Sequence, residues 1–209
     1  MSIKRTTVYY EKTGKEHTEE THRIAIEGAK ERSIETVVVA STTGDTALKA
    51  MEVFKGSGLN LVVVTHQTGW RAPGLNLFPD ETRRRLEQGG VKVVACSDVF
   101  SGGVGKGIAR QRPERKELLQ GRLPFIIPPV AGIIDSTLHL FCNGMKVCVE
   151  ISMMAADTGT IPVDKPIVAV AGTHVGSDTA IVITPSTSNR IKDLMIHEIL
   201  AKPLSRERR

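Results

Sequence analysis

Four stretches of this chain are dominated by apolar, mostly β-branched residues with little polar alternation: Thr36–Ala40, Asn60–Val64, Val91–Ala95 and Ile167–Ala171. A strand with one wet face alternates apolar and polar residues. A strand without that alternation is covered on both faces, as in a parallel sheet between helices. The segments between the runs have helical spacing. Ala47, Met51 and Phe54 recur on one face before Gly56-Ser57-Gly58, and Pro79-Asp80-Glu81 opens a helix that stops at Gly89-Gly90. Strand and helix in alternation predict βαβ units and a mostly parallel sheet.

The flanking segments extend the pattern. Residues 17–33 read as a helix, with Thr18 as N-cap and Glu19 and Glu20 at the positive end of its dipole. A long apolar helix is expected over 138–156, with Val147, Ile151, Met154 and Ala155 on its buried face, stopped by Gly159 and Pro162. Thr179–Thr184 is a fifth strand. The gap after the fourth is too short for a crossover helix, so the fifth is expected as an antiparallel edge. Residues 191–200 fit either helix or edge strand. Residues 98–137 are rich in Gly, Pro and positive charge and read as an insertion in a single domain spanning 1–209, not as a second domain.

Composition limits the function. Apolar residues are 40% and aromatics 4%, so aliphatic side chains build the core. The start of the chain has no apolar run suited to a signal peptide, and no stretch approaches the ~18 apolar residues of a membrane span. The expectation is a cytoplasmic protein with no membrane partner. Cys96, Cys142 and Cys148 form no CxxC pair and read as reduced core thiols, and no metal site is expected. Net charge is +5, and residues 106–122 hold six basic residues against two acidic ones. That segment suits either a solvated surface or an anionic partner. Binding nucleic acid there is the lesser alternative.

Ligands of open parallel sheets sit beyond the carboxyl ends of the strands, where the strand order reverses. The loops that qualify follow the first, second and fourth strands. In the first, Ser41, Thr42, Thr43 and Thr46 offer hydroxyls, Gly44 permits a tight turn, and the turn opens a helix whose free amides attract an anion. A single cap residue would need only one of those hydroxyls, so four of them argue for a phosphate. The fourth-strand loop offers Gly172, Thr173, Gly176, Asp178 and Thr179. Asp178 suits a backbone bond, a ligand hydroxyl or a turn cap. His66 and His174 each follow a strand and fit either a ligand or a structural role. Trp70, after Gly69, suits stacking on a flat ligand or packing as a lid. Gly105-Lys106 is not a phosphate-binding P-loop, since Gly107 stands where Ser or Thr is needed, and no GxGxxG, HExxH or GxSxG occurs.

The stretch VVVASTTGDTALKA resembles the strand, turn and helix that carry the effector phosphate loop in the C-terminal domain of pyruvate kinases. GKEHTEET, VVVTHQTGW, MKVCVEISMMAADTG, AGTHVGSDTAIVI and ILAKP extend the likeness over nearly the whole chain. Together they are similar to a small family of stand-alone pyruvate kinase α/β-domain proteins of archaea and bacteria. Ser97-Asp98-Val99 departs from that pattern. The resemblance implies a three-layer α/β/α sandwich whose five strands run in the order 3-2-1-4-5, with the last antiparallel. It also implies no pyruvate kinase activity, since this chain carries no barrel domain, and an association with flavin mononucleotide. The loop at 41–46 would take the phosphate, hydroxyl-bearing loop residues the ribityl chain, and Trp70 or Phe78 the ring. The alternative is a regulatory or sensor module that binds a sugar phosphate or nucleotide without chemistry. Self-association stays open.

Overall fold

The structure, a computed structural model, describes residues 2–102 and 130–205. The basic stretch 106–122, most of the insertion at 98–137 and the function considered for it lie outside the described residues. Within them the elements are β1 (Val8–Tyr10), α1 (Thr18–Glu31), β2 (Thr36–Ala40), α2 (Asp45–Phe54), β3 (Asn60–His66), α3 (Asp80–Gln88), β4 (Lys92–Cys96), α4 (Val130–Leu138), α5 (Asn143–Asp157), β5 (Ile167–Ala171), β6 (Thr179–Thr184) and β7 (Met195–Pro203).

The strands form one mixed sheet of seven, in the order β1-β7-β6-β5-β2-β3-β4. The expected five-stranded sheet is corrected on two counts. β6 is antiparallel to β5 but is not an edge, because β7 pairs with its other side, also antiparallel, and β1 lies beyond β7 in parallel. Residues 191–200 resolve into the end of a 3-10 turn at Ser188–Asp193 and most of β7. The β7 sequence MIHEILAKP hides its strand character behind Glu198, which is anchored by Arg32 at the end of α1 through bonds of 2.8 and 2.6 Å.

Alternation along the inner strands sorts the core into two clusters. Val37, Val39, Val63 and Val168 pack with Ala25, Ala29, Ala47, Ala50 and Leu86 of α1, α2 and α3. Val38, Val62, Ala169 and Ile181 pack with Met145, Cys148, Ile151 and Met154 of α5. The low aromatic content follows: small side chains let α1 and α2 approach the sheet closely, and α5, apolar almost all round, is buried over most of its length.

Two helix ends differ from expectation. Thr18 does not cap α1. A 3-10 turn at Lys15–His17 precedes it, and Thr18 Oγ1 donates to the Lys15 carbonyl at 2.6 Å while accepting from the Ser177 amide at 3.0 Å. It therefore ties α1 to the β5–β6 loop. The helix expected over 138–156 starts later, at Asn143, because Cys142 is extended and its Sγ accepts from the Met145 amide at 3.3 Å, while Leu138 instead ends α4, which lies in the stretch read as an insertion.

Candidate functional site

β2, β3 and β5 are adjacent and parallel, and their carboxyl ends open on a cavity of about 660 Å³. That lies within the ~300–1,000 Å³ common for small-ligand sites. β2 stands between β3 on one side and β5 on the other, so the cavity sits where the chain's path through the sheet changes direction.

Of the residues singled out from sequence, Ser41, Thr42, Thr43, Thr46, His66, Trp70, Gly172 and Gly176 line this cavity, as does His174. Gly44, Gly69, Thr173, Asp178 and Thr179 do not. Asp178 is fully buried, and its Oδ1 accepts from Thr179 Oγ1 at 2.8 Å. Its amide donates to Ala171, which makes it part of the turn into β6. Thr173 is buried. Gly69 shapes its own loop through a bond from its amide to Leu75 at 2.8 Å. Phe78 is also withdrawn from the cavity, at 1% exposure inside the core formed with α1–α3. Its ring is closed off from the cavity, whereas Trp70 lines it.

The loop at 41–46 is fastened from within. Ser41 Oγ accepts from the amides of Gly44 and Ala47, both at 3.2 Å, and the Ser41 amide donates to Val64 at 3.0 Å. Ser41 thus acts as the cap of α2, one helical turn ahead of the usual position. Gly44 sits at φ 96°, a conformation that side-chain-bearing residues rarely adopt. The Leu48 amide donates to Gly44, so the amides of Asp45 and Thr46 are the ones left at the open end of the helix. Asp45 brings a carboxylate to the same rim, and Thr43 Oγ1 donates to it at 2.8 Å.

In the opposing loop, Gly172 and Gly176 are required by packing. A Cβ on Gly172 would lie within 2.4 Å of the Gly176 carbonyl oxygen, and one on Gly176 would meet Thr18 Oγ1. Their glycines bring α1 and the β5–β6 loop together beneath the cavity floor. His174, between them, holds φ 63°.

The remaining wall is charged, and the sequence reading missed it. Lys146 and Glu150, one turn apart on α5, are 7% and 4% exposed and both line the cavity. Lys146 Nζ donates to Glu150 Oε2 at 2.6 Å and to Ser101 Oγ at 3.0 Å, and stands 3.3 Å from Asp135 Oδ1. Glu150 Oε1 also accepts from the amides of Phe100 and Ser101, at 2.7 and 2.9 Å. Ser101 leads on to Asp98, 3% exposed, which faces His66. The signal for this wall was an i, i+4 Lys–Glu pair in an otherwise apolar helix. Charges at that position are buried in mutual contact or not at all.

The thiols take no part. Burial pushes the Cys96 thiol up to about 11, aided by Asp157, Asp98 and Glu150, and burial also raises Cys142 and Cys148. All three are free cysteines, held protonated at neutral pH.

The family described as pyruvate kinase, alpha/beta domain, matches residues 19–183. Among solved structures, a Cryptosporidium parvum pyruvate kinase in complex with ADP is similar at 15% identity and a TM-score of 0.37, over 89% of this chain and 24% of that one. A second pyruvate kinase structure from the same organism is similar at 14% identity and a TM-score of 0.35, over 73% of this chain and 20% of that one. The chain therefore spans about a quarter or less of the length of these enzymes. Among the described residues no helix is long and apolar enough to cross a membrane.

Proposed function

This chain belongs to the pyruvate kinase alpha/beta-domain family, and from that premise we propose that it binds a phosphorylated small molecule in the cavity beyond β2, β3 and β5, with flavin mononucleotide the first candidate. The observation that carries the reading is the construction of the 41–46 loop. Ser41 fastens the turn, which leaves the Thr42, Thr43 and Thr46 side chains and the amides of Asp45 and Thr46 along one rim of the cavity. Hydroxyls, open amides and the positive end of α2 suit a phosphate. Asp45 opposes it, but that carboxylate is exposed and already engaged by Thr43.

The rest of the space suits a flavin in two respects. Trp70 offers a flat face at the rim, and Val147, Ile151 and Met154 give an apolar strip on α5. A bound flavin would supply redox chemistry, and the residues here would hold and orient it. The second reading, a module binding a sugar phosphate or nucleotide without chemistry, draws on the same loop, whose hydroxyls and open amides suit a phosphate whatever carries it.

The deciding experiment is the visible spectrum of freshly purified protein, with mass spectrometry of what denaturation releases and a titration with added flavin mononucleotide. A yellow protein, or a saturable titration, carries the flavin reading. A colourless protein indifferent to added flavin rejects it, and a thermal-shift screen of sugar phosphates and nucleotides then tests the second reading.

A further inference from the structure

The parallel register of β3 and β4 sets His66 opposite Cys96, and the chain leaving β4 brings Asp98 against the imidazole. His66 Nδ1 lies 2.8 and 3.0 Å from the two carboxylate oxygens of Asp98, whose side chain is 1% exposed. A carboxylate only accepts hydrogen bonds, so Nδ1 carries the hydrogen. Trp70 covers one face of the ring, stacked at 4.2 Å with 12° between the planes. The ring is thus fixed at one edge and one face, while 27% of the side chain stays open and the residue lines the cavity. Nε2 is the nitrogen left to the cavity.

His22 shows what a packing histidine looks like in the same molecule. It is fully buried, meets the neutral hydroxyl of Ser177 at 3.2 Å, and among the described residues is bonded to no carboxylate. His66 has the opposite construction: a buried anion behind it and open space in front. That is the arrangement of a general acid–base group. Among the described residues, the other charged or titratable groups on the cavity wall are Asp45 on α2, Arg71 after β3, His174 after β5, and Lys146 and Glu150 on α5.

We propose that His66 is the acid–base group of this cavity, its Nε2 exchanging a proton with the phosphorylated molecule bound there, and that Asp98 is its positioning residue. The substrate class is a phosphorylated molecule presenting an O–H or N–H to Nε2. In the forward step the Nε2 lone pair forms an N–H bond, and the substrate's O–H or N–H breaks, leaving its electron pair on that oxygen or nitrogen. The reverse step returns the proton. Asp98 balances the imidazolium between the two. This inference rests on the ligand-binding reading above.

The test is nitrogen-15 NMR of the histidine side chains in the full chain, with His66→Gln identifying the His66 signals. Spectra are taken at one neutral pH with no addition, with saturating flavin mononucleotide and with saturating inorganic phosphate. The expected result is the Nδ1–H form in neutral His66 and, with flavin mononucleotide bound, a displaced Nε2 signal. Asp98→Asn should erase the preference for Nδ1–H. An Nε2–H form, or flavin mononucleotide binding that leaves the His66 Nε2 signal in place, overturns this inference alone. Failure of both probes to bind overturns the ligand-binding reading and takes this inference with it.

Discussion

Lys146 Nζ lies 2.6 Å from Glu150 Oε2, one helical turn along α5, with both side chains buried against the cavity. Two ions out of water persist only while each is satisfied, and removing one partner of such a pair costs about 3–5 kcal/mol. Lys146→Met should therefore lower unfolding stability by roughly 3 kcal/mol. Glu150→Gln should cost less, because the amide oxygen still accepts from Phe100 and Ser101. Denaturant unfolding of the two variants checks this. Equal midpoints for Lys146→Met and the parent protein would show that the pair contributes nothing to the fold.

Gly44 is a poor place to test ligand binding, although it lies at the centre of the 41–46 loop. A Cβ there would stand 2.6 Å from Thr82 Cγ2, and the backbone is at φ 96°. Gly44→Val should destabilise by about 2 kcal/mol or more through strain alone. Thr46→Val separates the two effects. It keeps the shape, removes one hydroxyl from the cavity rim, and should leave stability within about 1 kcal/mol. On the phosphate reading it weakens flavin mononucleotide binding about tenfold or more, as loss of a hydrogen bond to a charged group does. Unchanged affinity in Thr46→Val, measured beside the unfolding curve, would remove that hydroxyl from the site.

Much of this was legible in the sequence because the inner strands have no polar face. Val37-Val38-Val39 and Val62-Val63-Val64 admit only a doubly covered sheet, and the loops that follow them are where such a sheet binds. What stayed hidden depends on tertiary partners. β7 carries Glu198 because Arg32, more than 160 residues earlier, is there to meet it. Asp98 reads as an ordinary loop acid until the β3–β4 register sets it against His66. Lys146 and Glu150 went unnoticed in the sequence because their partners, Ser101 and Asp135, lie on separate segments. Asp178 and Thr179 erred the other way: small polar residues after a strand are also what a buried turn uses.

His22 gives the fold a pH dependence of its own. It is fully buried in α1, edge-on to Phe54 at 5.9 Å. Burial, with a smaller push from Lys49, lowers its titration from 6.5 to about 4. The unfolded chain therefore takes up a proton near pH 6.5 that the folded chain refuses until about pH 4. Stability from this residue is complete above pH 6.5, falls as the pH drops through that window, and levels off below about pH 4. The loss amounts to about 3 kcal/mol, at 1.36 kcal/mol for each pH unit of displacement. His22→Gln keeps a polar group facing Ser177 and cannot be charged, so its unfolding free energy should be flatter than the parent's between pH 6.5 and 4. Parallel curves for the two proteins would mean that His22 takes its proton in the folded state as readily as in the unfolded one.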